Sequence, residues 1–141
     1  MSVKVDITNA IKALEAVASE QQISRIQNAA INKGSEIVSK NVISAFSKFK
    51  GSGRSTGATA EEVTLNKARK IQGIRQAQLK WSGPKDRYRL IHLNEWGYTK
   101  NGKRHNPRMM GTIQQTLDSS EKDYYEAIRK ELVSGYGKIK Y

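Results

Sequence analysis

The chain has 141 residues, 37% of them apolar, no cysteine and a formal net charge of +12. A length of this order carries one domain, and without cysteine there is no disulfide framework, no thiolate nucleophile and no cysteine-based zinc site. No apolar run approaches the roughly 20 residues of a membrane-spanning helix, and MSVKVDITNA lacks the apolar core of a secretory signal, so synthesis in the cytoplasm is expected. The charge is uneven. Residues 67–108 hold 12 Lys+Arg against 2 Asp+Glu, whereas 1–66 hold 8 against 6 and 109–141 hold 5 against 5. A basic surface of that size attracts polyanions and is salt-sensitive; the competing reading is a solvated basic face.

In chain order, Val3, Val5 and Ile7 alternate with Lys4 and Asp6, which predicts a short opening strand. Asp6 or Thr8 then caps a helix with the stripe Ile11, Leu14 and Val17, and Ser19 to Gln22 reads as a bend. The strongest periodicity lies from about Ile23 to Phe49, where Ile23, Ile26, Ala30, Gly34, Ile37, Val38, Val42, Ala45 and Phe49 recur at three and four. This predicts a long helix with a core-facing stripe. Gly34 on that stripe weakens the helix, so close approach of a neighbouring backbone is expected there.

Lys50 to Ala58, KGSGRSTGA, is rich in glycine and serine, without the spacing of a phosphate-binding loop. Thr59 to Glu62 has capping-box spacing for a short helix to about Ala68, in competition with a strand around Val63 and Leu65. Ile71 to Trp81 reads as the principal strand, with Ala77, Leu79 and Trp81 on one side and Gly73 and Arg75 interrupting the alternation as a bulge would. After the turn Ser82 to Lys85, Asp86 to Leu90 is expected to return as its antiparallel partner.

The stretch Tyr88 to Met110, YRLIHLNEWGYTKNGKRHNPRMM, organises the rest. Leu90, Leu93 and Trp96 recur three apart, predicting one or two helical turns, which Gly97 ends by accepting positive φ. Tyr98 to Pro107 then reads as an exposed basic hairpin or finger carrying Lys100, Lys103, Arg104 and His105, with Asn101-Gly102 as its tight turn. A helix can restart at or just after Pro107, and Met110, Ile113, Leu117, Tyr124, Ile128 and Leu132 define a final helix of about six turns. GYGKIKY is too short to classify. The sum is an α+β domain over 1–141, with long N-terminal and C-terminal helices packed on a small antiparallel β-sheet, and with residues 50–58 and 98–107 as flexible loops.

Catalytic candidates are few. His92 and His105 are the two histidines, and no HxxxH or HExxH spacing places two ligands on one helix face. His92, between Ile91 and Leu93, reads as partly buried, and His105, in a cationic loop, as solvated. His92, Asn94 and His105 lack the further ligands that an HNH-type nuclease site requires. Glu95 is either a buried or interfacial carboxylate paired with an arginine, or, on base rates, an exposed helix residue. Trp96 and Tyr98 flank Gly97 as interface anchors, with core packing the simpler account of Trp96. No metal or cofactor is implied.

At HLNEWGYTKNGKRHNPRM the sequence resembles a family of small phage morphogenesis proteins, the tail-completion or neck (head–tail joining) proteins of siphophages and prophages. Members show a strand, an HxxEFGT-like turn, a loop, an RPF-like proline and a long C-terminal helix. Here His92, Glu95, Trp96, Gly97 and Pro107 stand at those positions, with Trp96 in place of the usual phenylalanine or tyrosine and Arg108-Met109 where an aromatic follows the proline. The resemblance implies a structural virion protein without catalysis, made in the host bacterial cytoplasm and assembling with itself as a ring, six-fold, at the neck. It further implies neighbouring head-completion, tail-terminator or tail-tube proteins as partners. Lys100, Lys103, Arg104 and Arg108 would then face the lumen, where genomic DNA is contacted without base reading, or a subunit interface. The alternative is a small free-standing basic nucleic-acid-binding protein with the finger as its contact element.

Overall fold

Two long helices running in opposite directions carry most of the packing in the structure, a computed structural model that describes residues 8–17, 19–49 and 57–139. The expected opening strand at residues 3–7 and most of the 50–58 loop lie outside the described residues. Helix α1 (Thr8–Val17) precedes α2 (Glu20–Ser47). The bend expected at Ser19 to Gln22 is instead the capped start of α2, helical from Glu20: the Ser19 hydroxyl accepts from the Gln22 amide at 3.2 Å, and the Gln22 side chain accepts from the Ser19 amide at 2.9 Å. That reciprocal cap satisfies two donors that a helix start leaves open.

Helix α5 (Thr112–Gly137) lies antiparallel along α2. Gln27 donates to the Tyr136 hydroxyl, Asn41 donates to Ser120 Oγ, and Ile113 meets the cluster around Val42 and Phe46. The close approach expected at Gly34 is real, but side chains make it: a Cβ there would lie 2.8 Å from the Tyr124 ring and 3.0 Å from Ile128. The terminal GYG, unassigned from the sequence, completes α5.

The hairpin packs along α2 as well, beside α5. A single turn, α3 (Ala58–Glu61), leads into β1 (Val63–Ile71), which pairs antiparallel with β2 (Ile74–Trp81). The strand reading at Val63 and Leu65 therefore prevails over the helix to Ala68, because both face their counterparts across the ladder, Trp81 and Leu79. The principal strand is shorter than expected at its start: Ile71 pairs with Ile74 across Gln72-Gly73, both at positive φ, as a two-residue hairpin turn demands. The bulge falls instead in β1 between Asn66 and Arg69. There the Ala68 amide donates to Asn32 Oδ1 of α2 at 2.7 Å.

Arg75 does not break the alternation of β2. It extends the inward row of Ala77, Leu79 and Trp81, and its guanidinium donates to Ser24, Gln27 and Asn28, three residues on one face of α2. The core closes where α2, α3, the strand ends and the start of α5 meet. Val42, Phe46 and Ala60 are buried there, with Val63, Trp81, Met109 and Ile113 against them. Phe46 meets Trp81 edge-on at 5.9 Å, and the Trp81 indole donates to the Thr59 carbonyl. The chain is thus an α+β domain with its long helices packed on a small antiparallel hairpin. Among the described residues, no helix is long and apolar enough to cross a membrane.

Candidate functional site

Between β2 and α5, residues 82–111 hold their course by polar contacts to two buried glutamates. Glu62, 5% exposed, ends α3 and sits under the turn after β2. Its carbonyl accepts from the Ser82 amide, and its carboxylate accepts from the amides of Lys85 at 3.1 Å and Arg87 at 3.0 Å. Those amides curl Arg87–Arg89 into a 3-10 turn instead of the second strand expected at Asp86 to Leu90. The antiparallel partner of β2 is β1.

Helix α4 (Ile91–Trp96) follows, and its orientation decides the site. Glu95, 6% exposed, points inward, whereas Trp96 is 65% exposed and His92, one turn before it, is exposed too. Of the two readings of Glu95 the buried one holds. Two expectations are corrected: Trp96 lies outside the core, and His92 is exposed rather than partly buried. The Glu95 carboxylate has no arginine partner among the described residues. It accepts from the amides of Ile113 at 2.7 Å and Gln114 at 3.1 Å, and its carbonyl accepts from Gly111. Helix α5 starts after Gly111, which offers no side-chain cap. Glu95 therefore acts as its N-cap from 18 residues away, placing a carboxylate where the open amides and the helix dipole favour negative charge.

Gly97 turns the chain out of α4 with φ 75° and ψ 177°, a conformation essentially confined to glycine. Space forbids a side chain as well: a Cβ would meet Arg104 Nη2 at 2.7 Å and the His105 carbonyl at 2.8 Å. The expected loop at 98–107 is a paired ribbon over most of its length. β3 (Tyr98–Lys100) and β4 (Lys103–His105) pair antiparallel around Asn101-Gly102, both at positive φ. At its base the Tyr98 and His105 rings stack, 5.0 Å apart and 13° from parallel, so His105 is half-buried where solvation was expected. Arg104 clasps the base by donating to the Trp96 carbonyl and to Asn106.

Of the basic residues expected to act together, Lys100 and Lys103 project at the ribbon's tip and Arg108 from the turn after it, all exposed. None forms an ion pair with a described residue, whereas Arg104 is partly engaged in holding the ribbon. Pro107 does not begin the last helix. Its carbonyl accepts from Met110 in a turn, and α5 starts at Thr112. The β1–β2 hairpin extends the basic character: Lys67, Arg69, Lys70 and Lys80 are exposed on it. Among the described residues the ion pairing comes down to Lys85–Glu61 at 3.8 Å, and no group of three His, Asp or Glu side chains gathers to hold a metal.

No protein-family model, curated protein or solved structure matches the chain.

Proposed function

We propose that the chain is a structural component of a phage neck or tail-completion assembly, acting as a ring subunit around the DNA path and carrying no bond-breaking step. One observation carries the reading. The residues that bear the resemblance, Glu95, Gly97 and the ribbon after them, form a single fixture that mounts an exposed cationic tip on the base of a long helix. Lys100 and Lys103 at that tip, with Arg108 in the turn at its root, would meet phosphates without base reading, or an acidic surface of a neighbouring subunit or ring, in the virion. The six-fold ring, the neighbouring head-completion, tail-terminator or tail-tube proteins and the virion location belong to this proposal.

Electron microscopy of the purified protein, and of particles in which it carries a label, tests the reading. Rings with an open lumen and label at the neck support it; label absent from particles, with the gene lying away from tail genes, sinks it. The exposed cations on β1–β2 favour a second reading, a free-standing nucleic-acid-binding protein. Tight duplex binding by a monomer, with a steep fall in affinity as salt rises, would select that one.

A further inference from the structure

An open groove of about 390 Å³ runs between α5 and the β1–β2 hairpin, with α2 as its floor. Val38, Leu65, Ala77 and Leu79 supply apolar lining, and Leu117 and Tyr125 form the α5 side. Its charged lining residues are Asp118 and Glu121, with no cation among them. The acidity continues along α5, where Asp118, Glu121, Asp123 and Glu126 stand against Lys122 alone. In a chain of net charge +12, an apolar groove with a carboxylate rim calls for an apolar anchor flanked by cations.

The chain displays such an element elsewhere. Trp96 is 65% exposed, and Lys100 and Lys103 follow it on the ribbon. No residue of 82–111 lines the groove, so anchor and groove are separate surfaces on one molecule. We propose that the groove seats the α4–ribbon corner of a second copy of this chain, with Trp96 entering between α5 and the hairpin and Lys100 and Lys103 meeting Asp118 and Glu121. The contact joins different patches on the two copies, and repetition of such a contact closes a ring or extends a filament. The inference rests on the ring-subunit reading and names the surfaces that would pair. Buried tryptophan would supply the affinity, and the rim charges would set orientation and salt dependence.

Sedimentation velocity across a concentration series tests the pairing with wild type, Trp96→Ala and Leu117→Arg. Both positions are exposed, so the variants keep the fold, which circular dichroism verifies. Wild type should self-associate and weaken as salt rises, and each variant should raise the dissociation constant by about tenfold or more. Mixed, the two variants should form a 1:1 dimer that neither forms alone, because one keeps an intact groove and the other an intact tryptophan. Wild-type association with unaltered variants would overturn this pairing and leave the ring reading standing. A wild type still monomeric at about 1 mM would also overturn it, while the ring reading would be decided by the label on particles.

Discussion

The α2–α5–hairpin framework and the 82–111 corner are stabilised by different physics. The framework buries Val42, Phe46 and Ala60 and interleaves helices closely at Gly34, so its energy is spread over many dispersion contacts. The corner exposes Tyr88, Leu90, Trp96 and Met110, and its course depends on two carboxylates, one glycine and one guanidinium. A region held by apolar burial loses stability in proportion to the atoms removed. A region held by a few polar contacts fails locally, where one of them is cut.

The largest loss should come from the framework. Phe46→Ala empties the centre of the core and should cost roughly 3–5 kcal/mol in urea unfolding, as one cooperative transition. Glu95→Ala comes next, at roughly 2–3 kcal/mol, because two amides at the start of α5 lose a charged acceptor. Its signature should be local: hydrogen exchange at Ile113 and Gln114 rises well before exchange in α2. Gly97→Ala should cost about 1–3 kcal/mol through backbone strain, with the Tyr98–His105 stack lost in ring-proton spectra. If Glu95→Ala instead unfolds the whole chain cooperatively at the cost seen for Phe46→Ala, the division between the regions is wrong.

The charge test should leave stability nearly untouched. Lys100→Ala with Lys103→Ala should shift unfolding by less than about 0.5 kcal/mol each, yet flatten the salt slope of duplex DNA binding by roughly 2. The smallest effect is alkaline. Burial, with Tyr125 beside it, pushes the Tyr124 phenol above its usual value. The fold thus favours the neutral phenol, and this contribution is complete below the unfolded phenol's pKa of about 10 and is lost as pH rises through the higher folded value. Tyr124→Phe should reduce the fall in the urea midpoint between neutral pH and about pH 11.

Local periodicity made the framework readable. The three-and-four spacing from Ile23 to Phe49 and from Met110 to Leu132 defines α2 and α5 to within a turn at most ends, and Asn101-Gly102 announces the ribbon. The corner was harder because its determinants are distant in sequence. Glu95 caps a helix 18 residues on, and Glu62 captures amides 23 and 25 residues on, spacings that no local pattern encodes. One signal was available: α5 begins after a glycine with no Ser, Thr, Asp or Asn at the cap, while an acid stands embedded in the apolar stretch before it. Trp96 misled because its size argues for burial, whereas the seating of Glu95 on α5 turns the tryptophan outward. Arg75 misled in the opposite sense, its three acceptors on α2 being invisible to an apolar–polar alternation.

The Glu95 clamp also has a mechanical side. The same short helix carries the ribbon at one end and, through its carboxylate, grips the first turn of α5, a rod of 26 residues, roughly 39 Å long. The ribbon and the first turn of the molecule's second-longest strut thus share one short coupling, not two independent mounts.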